Sequence, residues 1–379
     1  MSLPPGQIIG ILGGGQLGRM TALAARPLGY RIHIYDPNPD CPAAPVADHV
    51  VTGAFTDTAK IKSFTKGVDV LTFEFENVDT STLYTVAPSC PIRPSLEVLD
   101  ISRDREKEKT FFRDQGFPCA DFAIVDSPQS LASAAERIGF PCVLKTATMG
   151  YDGKGQIKLQ GPFEAEKVWS ELGAPRAILE QWVEFTLECS VIVALSPSGE
   201  TACFDPAENI HRHHILHQSI VPGRFPKEVA EEAQNLALRL ARAMKVEGLL
   251  AIEMFLTKEG GLLLNETAPR PHNSGHHTIE ATLTSQFEQH VRAVTDLPLG
   301  NPALRHPVVM TNLLGDLWPA EGSPDWKTLL REPHCKLHLY GKAQARPGRK
   351  MGHFTTFSPK LDSPAPIKTA NQLFRQLEK

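Results

Sequence analysis

The sequence predicts a mixed α/β and α+β fold made of several domains. Three observations support this prediction. An apolar segment near the N-terminus runs into a glycine-rich turn at 13–18, a second glycine-rich loop occupies 150–156, and 249–267 has the pattern of a β-hairpin with an acid in each strand. Glycine-rich turns beside strands are typical of sheets that bind phosphate groups.

Length and composition restrict the function classes. A chain of 379 residues can hold two or three cores, and its 41% hydrophobic and 22% charged residues are typical of a soluble globular protein. A formal net charge of -4 argues against a general nucleic-acid binder. No apolar run approaches the roughly 18 residues of a membrane helix, and the first residues lack the pattern of a signal peptide.

The cysteines indicate a reducing environment. The seven cysteines are scattered without paired spacing, and their odd number disfavours a disulfide framework or a zinc site. We therefore expect a cytoplasmic enzyme with no nucleic-acid and no membrane partner.

The N-terminal segment predicts a Rossmann-like domain. The apolar strand Ile8–Leu12 leads into Gly13–Gly18, which matches G-x-G-x-x-G, and a helix is expected from Gln16 to about Leu28. A second strand, Arg31–Tyr35, ends at Asp36. Alone, this pattern is the fingerprint of a dinucleotide site with an acid for a ribose hydroxyl. The alternative is that the glycines and the helix N-terminus hold some other phosphate.

The next strand is predicted over 68–76. The two-residue period places Glu74 and Glu76 on one side of it, at the strand end where open α/β sheets bind ligands. A solvated strand end is the alternative. A charged helix is then expected to start at Ser102, and Arg105 is its candidate for phosphate contact.

The middle of the chain predicts a nucleotide site. A helix from Pro128 to Gly139 precedes the strand Pro141–Lys145, which ends unusually on a lysine. The glycines of 150–156 would let the backbone N–H groups approach a polyphosphate, with Lys154 inside the loop. The spacing is not that of a Walker A loop, and a plain hairpin turn joining Val143 to Ile157 is the alternative.

Two further acids follow in strand-like segments. The segment Ala177–Val183 could hold an adenine, with Glu180 accepting from its amino group, and Glu188 could accept from ribose hydroxyls. The run His211–His214 could suggest a metal cluster, but we favour loop histidines that face solvent or phosphate.

The hairpin is the most informative stretch. A turn at 258–261 joins two apolar strands, and pairing Thr257 with Leu262 would place Glu253 directly opposite Glu266. Like charges opposed across strands are destabilising, so this arrangement favours a bound cation, and oxygen ligands suit magnesium. Two solvated acids on an ordinary hairpin are the alternative.

Four segments together resemble a known family. They are 13–20, 150–156, 265–276 and 346–353, with the sequences GGGQLGRM, GYDGKGQ, NETAPRPHNSGH and RPGRKMGH. Four features of the chain resemble the layout of the ATP-grasp superfamily. They are a lysine at the end of a strand, a glycine-rich lid, a hinge strand with an acidic residue near its end, and the Asn265-Glu266 pair. Within this superfamily, the chain resembles the N5-carboxyaminoimidazole ribonucleotide synthetases. Met149 departs from the family pattern, which has glycine there.

The resemblance implies a domain organisation. It implies an N-terminal Rossmann-like (pre-ATP-grasp) domain over 1–101, an ATP-grasp domain over 102–297 with a lid subdomain at about 120–190, and a small C-terminal domain over 298–379. It also implies ATP as co-substrate and Mg2+ held by Glu253 and Glu266.

The resemblance also implies site residues. Those for ATP are Arg105, Lys145, Gly150, Tyr151, Asp152, Gly153, Lys154, Gly155, Gln156, Glu180, Gln181, Trp182, Val183, Glu188, His211, Asn265 and Glu266. Those for the ribonucleotide are Gly15, Gln16, Leu17, Glu76, Tyr151, Asp152, Arg270, His272, Asn273, Lys342 and Arg349. Lys342 and Arg349 are the choice for its 5′-phosphate, with Arg346 and Lys350 as rivals.

The implied reaction is the ATP- and bicarbonate-dependent carboxylation of aminoimidazole ribonucleotide through carboxyphosphate. Arg270, His272 and Asp152 would be catalytic. The fork of Arg270 suits a planar bicarbonate or carboxyphosphate, and His272 could take the proton lost by the amine. A homodimer and a transient contact with a downstream mutase are further implications. The alternatives are an ATP-grasp ligase with another acceptor and an NAD-dependent dehydrogenase.

Overall fold

The computed structural model describes residues 2–150, 155–360 and 363–378. Across these ranges the strands form one four-stranded parallel sheet, one nine-stranded sheet and one four-stranded antiparallel sheet. No helix within the described ranges is long and apolar enough to cross a membrane. The parallel sheet and the other two sheets, with their helices, confirm the predicted mixed α/β and α+β fold.

The first sheet has the predicted Rossmann-like character. Its strand order is β3-β2-β1-β4, and all pairs are parallel. The strands are β1 (Ile8–Leu12), β2 (Arg31–Asp36), β3 (His49–Thr52) and β4 (Val70–Phe73), and the helices are α1 (Gln16–Ala25), α2 (Thr58–Thr65), α3 (Thr80–Tyr84) and α4 (Leu96–Ser102). Buried aliphatic and aromatic side chains fill both faces of this sheet.

Several boundaries differ from the predicted ones in this region. The charged helix begins at Arg105 and not at Ser102, which is the last residue of α4, because the Asp104 side chain caps the helix start. Helix α1 ends at Ala25 and not near Leu28, because Gly29 has φ +79° and closes a turn back to Arg26. Strand β4 ends at Phe73, so Glu74 and Glu76 lie beyond it and have different partners. The two-residue period therefore does not apply to them.

The small antiparallel sheet has the order β5-β8-β6-β7. Helix α6 begins as predicted, because the Ser127 and Ser130 side chains form a reciprocal cap ahead of Pro128. Strands β6 and β7 form a hairpin around the glycine loop, so Leu144 lies opposite Ile157. The elements are α5 (Arg105–Asp114), β5 (Phe122–Val125), α6 (Pro128–Ile138), β6 (Cys142–Thr146), β7 (Gln156–Leu159), α7 (Ala165–Leu172) and β8 (Ala177–Gln181).

The nine-stranded sheet has the order β14-β13-β9-β11-β12-β15-β17-β16, with β10 paired to β9. Helix α8 covers one face and buries its apolar side on β9 and β13. The strands are β9 (Phe185–Leu195), β10 (Thr201–Cys203), β11 (Ala207–Arg212), β12 (Ile215–Val221), β13 (Gly248–Thr257), β14 (Leu262–Ala268), β15 (Val308–Leu314), β16 (Cys335–Leu339) and β17 (Lys350–Phe357), and the helices are α8 (Lys227–Ala243), α9 (Thr278–Ala281), α10 (Gln286–Thr295), α11 (Lys327–Leu330) and α12 (Ile367–Leu377).

The C-terminal strands continue this large sheet through the pairing of β12 with β15. A separate cluster of buried side chains packs α12 on β15 and β17. The boundaries near 101/102 and 297/298 stay a prediction, since strand pairing does not define where an independently folding unit ends.

The hairpin β13–β14 has the predicted arrangement of acids but a different register at its turn. Glu253 lies opposite Glu266, as predicted. Leu262, however, pairs with Leu256 and not with Thr257. A β-bulge makes up the difference, since Asn265 is an extra residue in β14 between the partners of Glu253 and Met254.

The buried histidines predict that the stability of the fold depends on pH. Burial lowers the pKa of His277 to about 4 and that of His290 to about 3, against 6.5 for an ordinary histidine. Between pH 6.5 and these lowered pKa values, the unfolded chain therefore binds more protons than the folded chain. Stability should be fully present above pH 6.5 and should fall as the pH drops towards 3–4, by about 1.4 kcal/mol per pH unit for each such ring.

Urea denaturation between pH 7 and pH 4 measures this effect. His290→Gln removes one titrating ring and keeps a polar partner for Thr72, whose hydroxyl lies 2.9 Å from the ring Nε2. The variant should lose less stability on acidification than the parent, whereas His49→Gln on the exposed part of β3 should behave like the parent. Equal slopes for the parent and His290→Gln would contradict the assignment.

Candidate active site

A large cleft of about 1130 Å³ lies where the three sheets meet. Its lining is rich in charged side chains of both signs. They include Glu74, Glu76, Arg105, Glu108, Lys145, Glu180, Glu188, His211, Glu253, Glu266, Arg270, His272 and Lys350. The structure thus brings together residues from nearly the whole length of the chain, from Gln16 to Lys350.

The two acids of the hairpin lie in one wall of this cleft. Burial, followed by the charge of Glu266, raises the pKa of Glu253 to about 8. The guanidinium of Arg105 lies 3.8 Å from Glu266 and neutralises it only in part. Within the described ranges, no group of three or more His, Cys, Asp or Glu side chains is arranged around a metal site. The pair therefore provides two carboxylates, to which other oxygen ligands would have to be added.

A buried acid lies between two lysines at another part of the cleft. Lys145 Nζ donates to Glu180 Oε2 at 3.0 Å, and Lys109 Nζ lies 3.7 Å from the same oxygen. Burial alone would raise the pKa of Glu180, but the charges of Lys109 and Lys145 lower it to about 2. The other oxygen, Oε1, is buried and has no partner among the described residues. It can therefore accept a hydrogen bond from a ligand.

The acid and histidine predicted beside the nucleotide also meet. Strand pairing places Glu188 of β9 opposite Asn209 and brings its carboxylate onto the Nδ1 side of His211. Burial alone would lower the pKa of His211, but the contact with Glu188 raises it. His213 and His214 instead have φ of 49° and 63° in the turn between β11 and β12. The histidine run therefore spans the end of a β-hairpin: His211 belongs to strand β11, and His213 and His214 lie in the turn.

Arg270 and Glu76 form a two-point ion pair in the cleft. The Arg270 Nε lies 2.5 Å from Glu76 Oε2, and its Nη2 lies 3.0 Å from Oε1. Burial alone would raise the pKa of Glu76, but the Arg270 charge lowers it. Glu76 thus orients the guanidinium, in the geometry that carboxylates and guanidinium groups prefer.

His272 follows on the same loop and is held from both sides. Its backbone N–H donates to Gln286 Oε1 at 2.9 Å, and its carbonyl accepts from Gln286 Nε2 at 2.7 Å. Its Nε2 lies 3.3 Å from Glu253 Oε1. Burial and the charge of Arg270 lower the pKa of His272 well below its ordinary value, which disfavours a protonated ring. The role of proton acceptor stays a prediction.

Asn273 serves the packing of the loop. Its side-chain amide exchanges two hydrogen bonds with that of Asn312 on β15, at 3.0 and 2.7 Å. The pair ties the loop to the C-terminal strands. Asn273 also lines the cleft, and its amide keeps a second N–H and a second oxygen lone pair, so a direct contact with a ligand stays a prediction.

The N-terminal glycine turn is occupied by a side chain. The N–H groups of Gly15 and Gly18 donate to the carboxylate of Glu74 at 2.5 and 2.8 Å, and Asp36 accepts from Gly14 at 2.7 Å. A Cβ on Gly15 would lie 2.4 Å from Glu74 Oε1. The close approach that the dinucleotide fingerprint reserves for a pyrophosphate is therefore made by Glu74. Gln16 and Leu17 still line the cleft.

The four candidate cations for the ribonucleotide phosphate are Lys342, Arg346, Arg349 and Lys350. Lys350 lines the cleft, and Lys342 is close enough to Glu74 of the glycine turn for their charges to interact. Lys342 Nζ donates to the carbonyl of Lys350 at 2.7 Å, and Arg349 donates to the carbonyl of Gln344 at 2.8 Å. Burial, followed by the charge of Arg349, lowers the pKa of Lys342 to about 8. Arg346 bonds the exposed Gln344 side chain.

The glycine loop is described only at its ends. The predictions for Tyr151, Asp152, Gly153 and Lys154 lie outside the described residues. Gly150 accepts from Arg105 Nη2 at 3.3 Å, and Gly155 has φ +70° beside Thr146. Met149 has φ 65°, so the departure from the family pattern falls where the backbone favours glycine.

The sequence reasoning missed several buried residues around the site. Among them are Lys109, Glu108 and Gln286. Lys109 and Glu108 belong to a helix that looked like a solvated charged face, and only its apolar neighbours Phe111 and Phe112 hinted at burial. Glu108 accepts from the backbone N–H of Thr267 at 2.7 Å and so holds the strand that carries Glu266. Gln286 had no local signal.

Comparison with known domains defines the class. Family models match residues 7–103 as a ribonucleotide synthetase preATP-grasp domain, residues 110–287 as an ATP-grasp domain, and residues 308–364 as a phosphoribosylaminoimidazole carboxylase C-terminal domain. With the sheets and cleft described above, these matches define an ATP-grasp protein that has a pre-ATP-grasp domain and a small C-terminal domain.

Individual relatives define the family. The N5-carboxyaminoimidazole ribonucleotide synthase of Bacillus subtilis (strain 168) is 45% identical over 352 residues, 93% of this chain and 91% of that one. A solved N5-carboxyaminoimidazole ribonucleotide synthetase in complex with ADP matches with a TM-score of 0.91 and 41% identity, covering 99% of this chain and 97% of that one. This chain belongs to the N5-carboxyaminoimidazole ribonucleotide synthase family, which confirms the resemblance found in the sequence.

A third comparison bears on the substrate end. The N5-carboxyaminoimidazole synthase of Aspergillus clavatus has been solved in complex with ADP and 5-aminoimidazole ribonucleotide. It matches with a TM-score of 0.86 and 30% identity, covering 98% of this chain and 97% of that one.

The contacts of Glu74 predict that NAD does not bind. A pyrophosphate at Gly15 and Gly18 would have to displace a carboxylate that two N–H groups hold. Millimolar NAD should therefore leave the melting temperature unchanged, whereas ATP with Mg2+ should raise it by mass action. An upward shift with NAD comparable to that with ATP would revive the dehydrogenase alternative.

Proposed function

We propose that this protein is an ATP-dependent carbon–nitrogen ligase of purine biosynthesis. It carboxylates the exocyclic amine of 5-aminoimidazole ribonucleotide with bicarbonate, forms N5-carboxyaminoimidazole ribonucleotide, and releases ADP and phosphate. One observation carries the proposal. The opposed acids Glu253 and Glu266 share one cleft with the ion pair of Lys145 and Glu180. The loop that follows Glu266 adds the oriented Arg270 and the neutral His272 to the same cleft.

Magnesium fits the two opposed acids. Mg2+ is commonly held by one or two carboxylates together with substrate phosphates, and Glu253 and Glu266 provide that donor set. A bound cation would also remove the repulsion that raises the pKa of Glu253. When bound, the ion would neutralise charge on the phosphates during transfer.

The nucleotide would lie between the small antiparallel sheet and the nine-stranded sheet. Glu180 Oε1 is free to accept from the adenine amino group, and Glu188 can accept from ribose hydroxyls. Lys145 and Arg105 would contact phosphates, beside Asn265 and the glycine loop. The other residues proposed for ATP are Gly150, Tyr151, Asp152, Gly153, Lys154, Gly155, Gln156, Gln181, Trp182, Val183, His211 and Glu266.

The chemistry divides into two steps. In the first, a bicarbonate oxygen attacks the γ-phosphorus of ATP, the bond to the β-phosphate oxygen breaks, and carboxyphosphate and ADP form. In the second, the amine attacks the carboxyl carbon, the carbon–oxygen bond to phosphate breaks, and the departing phosphate can take up the amine proton. Arg270 is suited to hold the planar carboxyl group, because Glu76 already orients its guanidinium.

The ribonucleotide would lie towards the N-terminal domain and the basic C-terminal motif. Gln16, Leu17 and Glu76 line this end of the cleft, as does Lys350. The phosphate would be bound by Lys342 and Arg349, with Lys350 contributing from the cleft wall. Gly15, Tyr151, Asp152, Arg270, His272 and Asn273 complete the proposed set.

Other expectations rest on the resemblance alone. They are a homodimer, a transient contact with a downstream mutase, and a catalytic contribution of Asp152. The expected cytoplasmic location rests instead on the scattered cysteines. The dehydrogenase alternative is disfavoured by the contacts of Glu74 with the glycine turn. No observation favours a different acceptor for the ligase.

ADP release tests the proposed function. Release should require bicarbonate and should rise strongly when aminoimidazole ribonucleotide is added. Glu266→Gln removes one of the two opposed charges and leaves the fold intact, since the side chain is 48% exposed, and it should reduce turnover by at least about 100-fold. Near-normal turnover in this variant, or ADP release that ignores bicarbonate, would overturn the proposal.

Kinetics of two lysine variants test the phosphate assignment. Lys342→Ala should raise the apparent KM for aminoimidazole ribonucleotide about tenfold or more and leave that for ATP nearly unchanged, since one charge-assisted contact to a phosphate is lost. Lys350→Ala is the comparison, because Lys350 lines the cleft and its carbonyl accepts from Lys342. A normal KM in Lys342→Ala with a raised KM in Lys350→Ala would move the assignment to Lys350.

A further inference from the structure

A line of four buried polar side chains leads across the nine-stranded sheet to the ring of His272. Ser219 Oγ donates to Asn209 Oδ1 at 3.0 Å, and Asn209 Nδ2 donates to Ser190 Oγ at 2.9 Å. Ser190 Oγ donates to Ser274 Oγ at 2.8 Å. All four side chains are at most 6% exposed. We call these four residues the polar relay.

The relay ends on one particular nitrogen of His272. Ser274 Oγ lies 2.9 Å from Nδ1, and the backbone N–H of Ser274 also points to Nδ1, at 3.4 Å. A hydroxyl has one proton, and Ser274 already accepts from Ser190, so its own proton is directed to His272. Two donors converge on Nδ1. This nitrogen therefore carries the lone pair, and the ring proton lies on Nε2.

The backbone of His272 is fixed independently of the ring. Gln286, which is fully buried, bonds both the N–H and the carbonyl of His272. Gly275 leaves the room for this contact, since a Cβ there would lie 2.7 Å from Gln286 Oε1. The clamp sets the position of the residue, and the relay sets which ring nitrogen is protonated.

We infer that Ser274, Ser190, Asn209 and Ser219 are positioning residues that hold His272 as its Nε2–H tautomer, aimed at Glu253 and the reacting carboxyl group. The inference rests on the proposed function for what the N–H does. In this tautomer His272 is a hydrogen-bond donor in the cleft and not the base that the sequence suggested. Its Nε2–H faces Glu253, at a distance of 3.3 Å between Nε2 and Oε1, and partners of metal-binding groups orient them.

Nitrogen NMR of the intact chain, labelled with 15N-histidine, tests the tautomer without substrates or metal. The signals of His272 are assigned by difference from His272→Gln. The expected spectrum has a protonated Nε2 and an unprotonated Nδ1. A proton on Nδ1 would overturn the inference, whatever the enzyme catalyses. Conversely, the expected tautomer in a protein without bicarbonate-dependent ADP release would overturn only the proposed function.

Two alanine variants test the relay itself. Ser274→Ala removes the hydroxyl that donates to Nδ1, so both tautomers should be populated, and kcat should fall about 10–100-fold while the KM for ATP changes less than about twofold. Ser190→Ala should act in the same direction with a smaller effect, because Ser274 keeps its hydroxyl but loses its orientation.

A matched control separates the relay from general packing. Ser196 lies just beyond the end of β9, is also buried, and bonds Ser198 and the Glu200 N–H instead of the relay. Ser196→Ala should lower the urea midpoint to a similar extent but leave the His272 spectrum and kcat unchanged. If Ser274→Ala and Ser190→Ala both keep the parent tautomer and kcat, the relay has no positioning role.

Discussion

The antiparallel pairing of β13 with both β9 and β14 determines where the charged groups of the cleft lie. It places Glu253 opposite Glu266 on one side and opposite Ser190 on the other. Directly paired residues project to the same face of a sheet, so the two acids and the serine form one row. The bulge at Asn265 is what brings Glu266 into this row, because the register at the turn alone would leave it one position away.

Charge pairing fixes the positions of other charged groups of the cleft. Glu180 lies between Lys109 and Lys145, and Glu76 holds Arg270 at two points. Removing one partner of such a buried pair typically costs on the order of 3–5 kcal/mol, since the other charge is left uncompensated. The Glu253–Glu266 pair differs, because Arg105 balances it only in part. The remaining charge repulsion is what a cation with bound phosphates would relieve.

Local patterns predicted much of this site. The apolar periodicity and turn residues identified the hairpin, the helix start at Ser127–Pro128 and the strand that carries Lys145, although this strand ends at Thr146 and not at Lys145. The motifs identified the family. The opposition of the two acids was predicted correctly, but from a pairing of Thr257 with Leu262 that proved wrong. The two-residue period of a strand does not reveal a β-bulge. Glu74 was read as one of two equivalent acids, although it occupies the glycine turn and Glu76 binds Arg270.

By itself, the sequence determined the class of fold, the family and many of the residues around the cleft, because these depend on periodicity and on short motifs. Only the tertiary structure decided that the dinucleotide-like turn is filled by Glu74, that Lys109 and Gln286 belong to the site, and that four polar side chains lead to one nitrogen of His272. These contacts join residues that lie far apart in the chain, such as Gly15 and Glu74 at 59 positions and Ser190 and Ser274 at 84 positions. Their partners are set by strand order and register, which single-sequence patterns do not encode.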